Sequence, residues 1–151
     1  MPRHTRYQGA IVRDHSVLLL RHRHHASGRT YWVFPGGGLD EGETEEQCVT
    51  REMKEETDLE VLVERLLFEE PYDPNGGYKW RMTFLCHPVA GDAKPGYEPE
   101  EEASAEYSIS EVRWFDLRDE SSWDDLLVQD SITYPQIKLL KETLGLSDNQ
   151  G

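Results

Sequence analysis

Residues 36–59 read GGGLDEGETEEQCVTREMKEETDL, a glycine turn that carries acids and runs into a glutamate-rich helical segment. Successive helical residues advance about 100°, so Glu52, Glu55 and Glu56 fall within an arc of roughly 100°. Cys48 and Val49 share that arc and Met53 lies beside it, whereas Gln47, Thr50, Lys54 and Asp58 point the other way. An amphipathic helix ordinarily puts its acids opposite the apolar stripe. Two of these glutamates also stand near the helix C-terminus, where the macrodipole disfavours negative charge. Local stability does not account for the arrangement. A bound cation would.

Signals for both helix ends are present. Thr44 is the expected N-cap, with Gln47 at the capping-box position and Glu45 and Glu46 in the favourable first turn. The helix should end near Thr57, with Asp58 tolerating the left-handed conformation as its stop.

Outward from this stretch, residues 7–14 and 17–23 are apolar, β-branched runs that read as a hairpin turning at His15 and Ser16. A short strand is expected over Tyr31–Phe34, up to Pro35. Residues 60–70 and 78–89 read as longer strands around the turn-rich PYDPNGG, and 111–117 as one more. Residues 91–106 are poor in apolar side chains and acidic, a surface-loop composition. A short helix capped by Ser121 or Ser122 should reach Val128. A last helix should start near Pro135 and stop at Gly145. Strands, a helix, more strands and a final helix imply an α/β chain with a mixed sheet. At 151 residues without a repeat or linker, one domain over residues 1–151 is expected.

Composition limits the chemistry. A net charge of −14 argues against a basic nucleic-acid footprint, so no nucleic-acid partner is expected. Anionic substrates would need divalent metals or a local basic patch. Cys48 and Cys86 have no metal-ligand spacing and read as free thiols in a reducing compartment. No stretch has the length of a membrane span and MPRHTRYQGA lacks a signal-peptide core, so a cytoplasmic protein is expected. The first 30 residues hold several arginines in an otherwise acidic chain. Arg21, Arg23 and Arg29 are candidates for substrate phosphates, because guanidinium matches phosphate geometry. Solvated hairpin positions are the plainer reading for most of them. His22, His24 and His25 could be taken for a metal cluster, but neighbouring strand residues face opposite ways.

The glycine-turn-helix stretch resembles the Nudix box of the Nudix (MutT-like) hydrolases. Gly37, Glu43, Arg51, Glu52, Met53, Glu55, Glu56 and Leu59 match the family pattern, and Asp58 stands where the family has glycine. The resemblance implies an α/β/α sandwich around a mixed sheet. It implies that Glu52, Glu55 and Glu56, with Gly37, hold Mg²⁺ or Mn²⁺, and that Arg51 orients a glutamate, Glu43 being a candidate. It also implies water attack on the phosphorus of a nucleoside di- or triphosphate derivative. A (d)NTP cleaved to NMP and pyrophosphate is the first expectation. ADP-ribose or a dinucleoside polyphosphate is the alternative, and a non-catalytic nucleotide-binding regulator is the rival class.

Glu55 or Glu56 could serve as the base. So could an acid of the later loop, among Glu98, Glu100, Glu101, Glu102 and Glu106, with Glu106 retained as candidate base or extra metal ligand. Tyr31, Trp32, Tyr72, Tyr78 and Trp80 could stack on a nucleobase, of which Tyr72, Tyr78 and Trp80 are carried forward. A monomer or homodimer is expected.

Overall fold

The computed structural model describes residues 4–72, 78–97 and 107–147. Its strands are β1 (Thr5–Arg13), β2 (Ser16–His24), β3 (Thr30–Val33), β4 (Gly36–Gly37), β5 (Glu60–Pro71), β6 (Trp80–Ala90) and β7 (Tyr107–Asp116). The helices are α1 (Glu45–Thr57), α2 (Asp125–Val128) and α3 (Thr133–Leu144), with a 3₁₀ turn at Glu120–Ser122.

The described strands form one mixed sheet, in the order β3-β2-β1-β6-β5, with β4 on β1 and β7 on β2. The β1–β2 hairpin pairs only at its tip, Val12 with Val17 and Arg13 with Ser16. Beyond the tip the strands part. β1 runs parallel to β6 from Thr5–Trp80 to Ile11–Cys86, while β2 pairs with β3 and β7.

Alternation along these strands builds an apolar core on each face. Ile11, Leu18, Phe84 and Cys86 meet Val49 and Met53 of α1. Ala10, Val17, Leu19, Trp32 and Phe115 meet Leu127, Ile137 and Leu140 on the other side. Because both faces are covered, Val17–Leu20 is an unbroken apolar run rather than an alternating one. The result is an α/β/α sandwich with a mixed central sheet, as expected.

Two contacts set the layers. A Cβ on Gly9 would lie 2.5 Å from Met53 Sδ, so glycine lets α1 sit against β1. On the opposite face, buried Gln8 donates to Thr83 Oγ1 at 2.9 Å and Gln136 Oε1 at 2.7 Å, tying β1, β6 and α3 together.

Element ends follow the expected cap chemistry with some shifts. Thr44 and Gln47 form the capping box of α1, and Asp58 closes it at φ 62°. The hairpin turns one residue earlier than expected. Asp14 and His15 take positive φ (50° and 70°), which frees Ser16 to pair, because a two-residue turn needs left-handed backbone at both positions. The helix expected after Ser121 is split in two. Ser122 lies in the 3₁₀ turn, Trp123 is extended, and Asp124 caps α2 by accepting from Leu126 N–H at 2.9 Å. β7 starts four residues before 111, where Tyr107–Ile109 pair with β2 past a bulge. α3 starts at Thr133, ahead of Pro135, because the Asp130 carboxylate accepts the Ile132 and Thr133 amides at 2.8 and 2.7 Å.

Candidate active site

Gly36 and Gly37 pair with Gln8 and Tyr7 of β1 and lie under α1. Glu52 (2 % exposed) and Glu56 (1 % exposed) are buried there. Gly36 N–H donates to Glu56 Oε1 at 3.0 Å. A Cβ on Gly37 would meet the Glu52 carboxylate at 2.5 Å, so only glycine leaves room for that side chain. Glu52 and Glu56 share the packed face, with Glu55 half-buried at its edge, and Gln47, Thr50 and Lys54 are exposed, as the helical period requires; Asp58, expected on the solvent side, is half-buried.

Arg51 gathers the acids. Its Nε and Nη2 donate to Glu43 at 2.7 and 2.9 Å, and its Nη1 donates to Glu52 at 2.9 Å and Glu55 at 3.2 Å. Asp40 lies 3.2 Å from Nε, and the Gly38 carbonyl accepts from Nη2 at 3.1 Å. The two-pronged contact with Glu43 matches the fork geometry of guanidinium and holds that carboxyl below its usual range. Burial pushes Glu52 and Glu55 up, and Arg51 pulls both back. The resemblance implied that Arg51 orients a glutamate, with Glu43 as a candidate; the fold brings Arg51 onto Glu43, Glu52 and Glu55 together.

Arg6 is the residue that sequence reasoning passed over. Half-buried on β1, it donates to the Phe34 carbonyl at 2.8 Å and the Gly36 carbonyl at 3.2 Å. Burial lowers its pKa, but Tyr72, Glu56, Tyr78 and Glu52 around it raise it on balance. Through Gly36, whose carbonyl accepts from Arg6 and whose N–H donates to Glu56, Arg6 is tied to the strand that lies under the glutamate helix. Its only sequence signal is strand parity with Gln8 and Ala10, which is meaningful once β1 is known to be central.

Tyr72 also walls a cavity of about 720 Å³, with Tyr31, Tyr107, His24, Arg29 and Asp130 in its lining. Tyr107 lies 5.1 Å from His24 and 6.1 Å from Tyr31, ring centre to ring centre. Tyr107 and Asp130 have no local pattern that would have named them, and His24, weighed above only as part of a metal cluster, lines this cavity instead.

The substrate candidates separate. Arg29 and Tyr72 line the cavity. Tyr78 stands edge-on to Tyr72 at 6.3 Å. Arg21 instead donates to Thr30 Oγ1 at 3.0 Å and pairs with Glu111 at 3.5 Å. Arg23 is exposed on β2, and Trp80 donates to Glu69 at 2.8 Å. Trp80 shares strand parity with Met82 and Phe84, which pack towards α1; Arg81, one residue on, lies 4.6 Å from the Tyr72 ring. Trp32 is fully buried against Phe115. Glu106, with Glu98, Glu100, Glu101 and Glu102, lies outside the described residues. Cys48 and Cys86 are free and buried, which pushes both thiols up to about 12.

Carboxylates plus a backbone carbonyl at Gly37 are hard oxygen donors, the set that Mg²⁺ or Mn²⁺ prefers. Among the described residues no three His, Cys, Asp or Glu side chains already enclose an ion-sized space; Arg51 and the Gly36 N–H occupy some of the oxygens.

The family model of the NUDIX domain matches residues 3–134. The chain belongs to the NUDIX family. It is 36% identical over 109 residues to an NAD-capped RNA hydrolase NudC of Vibrio atlanticus, covering 72% of this chain and 35% of the relative. It is 32% identical over 95 residues to an ADP-ribose pyrophosphatase of Methanocaldococcus jannaschii, covering 62% and 56%. The chain thus spans about a third of the length of the NudC relatives it matches. A NUDIX hydrolase from Nitrosomonas europaea shares the fold with a TM-score of 0.69 at 20% identity, covering 98% of this chain and 76% of that one. In this NUDIX chain the matched Arg51 and glutamates are those built into the site above. No helix among the described residues is long and apolar enough to cross a membrane.

Proposed function

We propose that this NUDIX chain is a divalent-metal-dependent pyrophosphatase acting on a nucleoside diphosphate joined to a second group, with ADP-ribose or a free NAD-type dinucleotide as its substrate class. The observation that carries this is the cluster of carboxylates on α1 gathered by Arg51, in a chain that also holds a tyrosine-walled cavity of about 720 Å³. That volume suits a base with its sugar. The names of the relatives favour the same class over a (d)NTP, since they specify NAD-capped RNA and ADP-ribose. A capped RNA is the less favoured form, because a net charge of −14 opposes a polyanion. A regulator without turnover has no need of Glu52, Glu55, Glu56 and Arg51 together.

Glu52, Glu55, Glu56 and the Gly37 carbonyl would hold Mg²⁺ or Mn²⁺. With an ion held by these oxygens, the diphosphate charge would be screened, its phosphorus polarised and the pKa of an attacking water lowered. Arg51 aligns Glu52 and Glu55 and offsets their repulsion before an ion arrives. Tyr31, Tyr72 and Tyr107 stack the base, and Arg29 meets a phosphate or ribose oxygen.

The test is a panel of ADP-ribose, NAD⁺, a dinucleoside polyphosphate and the dNTPs with Mg²⁺, for wild type and Glu55→Gln. ADP-ribose plus water should give AMP and ribose 5-phosphate, at the highest kcat/KM of the panel or second to NAD⁺. Faster turnover of a dNTP would overturn the substrate class. Unchanged turnover in Glu55→Gln would overturn the metal-ligand roles, and binding without turnover would restore the regulator reading.

A further inference from the structure

After the Asp58 N–H closes on the Lys54 carbonyl at 3.0 Å, the carbonyls of Glu55, Glu56 and Thr57 have no partner within α1. Each is taken up from one short segment. Tyr97 N–H donates to Glu55 O at 3.0 Å, Gly96 N–H to Glu56 O at 2.9 Å, and Lys94 N–H to Thr57 O at 3.0 Å. Gly96 lies so close that a Cβ there would run into the Glu55 carbonyl oxygen and the Glu56 carbonyl carbon. Asp58, the departure from the family glycine, pairs with Lys94 at 3.3 Å and Lys54 at 3.4 Å. At that position glycine would give the backbone turn but no carboxylate for Lys94.

We propose that Gly96 is a positioning residue for Glu55 and Glu56. The 94–97 segment holds their main chain from behind, while Arg51 and the Gly36 N–H hold their carboxylates in front. Both ends of each glutamate are then restrained. The three N–H dipoles also face the negative end of α1, offsetting the macrodipole where two carboxylates stand. This removes the objection that α1 carries acids at the wrong terminus. The Asp58–Lys94 pair fastens the same segment, so the substituted position adds an anchor. The inference rests on the metal-binding reading of Glu55 and Glu56.

The experiment compares Mn²⁺ affinity by calorimetry, amide hydrogen exchange, and steady-state kinetics with ADP-ribose, in wild type, Gly96→Val and Lys94→Met. Wild type should protect the Gly96 and Tyr97 amides. Gly96→Val, folded by circular dichroism, should bind Mn²⁺ at least about tenfold more weakly, the scale of losing a support behind a ligand. Its kcat should fall while KM changes within about twofold, and added Mn²⁺ should restore part of the rate. Lys94→Met should shift Mn²⁺ affinity in the same direction by less. If valine prevents folding, Gly96→Ala makes the same comparison. Wild-type Mn²⁺ affinity in a folded Gly96 variant, or unprotected Gly96 and Tyr97 amides in wild type, would overturn this inference alone. No Mn²⁺ binding by wild type would overturn the metal reading and this inference with it.

Discussion

Gly37 and Glu52 are in such close contact that the Cβ of any other residue at position 37 would lie 2.5 Å from Glu52 Oε1. Glycine here is a matter of space beside a buried carboxylate. Gly37→Ala must push Glu52 away, yet the β1–β4 pairing through Tyr7 and Gly37 can survive. Gly37→Ala should stay folded and lose about 10–100-fold in Mn²⁺ affinity and kcat/KM for ADP-ribose. Wild-type values for both, measured by calorimetry and steady-state assay, would contradict the role given to this contact.

Arg51 joins Asp40, Glu43, Glu52 and Glu55 within 3.2 Å. Arg51→Ala leaves buried Glu52 and half-buried Glu43 and Glu55 repelling one another beside exposed Asp40, and should cost about 3 kcal/mol in urea unfolding. Arg51→Lys should recover only part, since an ammonium cannot make the two-pronged bond to Glu43. Equal stability of Lys and Arg at this position would argue against a geometric role.

Glu43 titrates below its ordinary value in the folded chain because Arg51 donates to both its oxygens. A carboxylate with a depressed folded pKa adds stability above its unfolded value, about 4.5, and loses it as pH falls through the folded value. The stability gap between wild type and Glu43→Gln should therefore be fully open near neutrality, at about 1.5–3 kcal/mol. It should narrow below pH about 4.5. Thermal melts from pH 3 to 7 test this; a gap that widens on acidification would reverse the sign.

Tyr72 and Tyr107 wall the cavity without touching the glutamate helix in any described hydrogen bond. If they stack the base, Tyr72→Ala and Tyr107→Ala should each weaken ADP-ribose binding by about 1–3 kcal/mol. KM should rise and Mn²⁺ affinity should stay at the wild-type level. Loss of kcat without a change in KM would assign them to the chemistry instead.

Lys94 and Asp58 pair at a solvent-exposed corner. Asp58→Gly removes the pair but keeps a residue suited to φ 62°. Its Tm should fall by no more than about 4 °C, whereas Asp58→Val should fall further, because a β-branched residue resists that backbone. Similar melting of the two variants would remove the backbone from the account.

Helix α1 is encoded almost completely by its own residues. Thr44, Gln47 and Asp58 set its ends, and a 3.6-residue period put Glu52, Glu55 and Glu56 on the packed face, because helix geometry is settled by neighbours within a few residues. The longer strands were legible for the same local reason, with the hairpin turn shifted to Asp14 and β7 extended to Tyr107, whereas β4 at Gly36–Gly37 read only as a glycine turn. The second half of the site was not legible. Arg6 meets Gly36 across 30 residues, and Tyr107 meets Tyr31 and His24 through the β2–β7 and β2–β3 registers. A one-residue slip in register would turn each of these side chains to the opposite face. The parallel β1–β6 pairing decides which arginine stands by the glutamates, and the docking of residues 94–97 on α1 decides how their helix ends. Those choices depend on burying both faces of one sheet at once, an energy shared by the whole chain and absent from any short stretch of it.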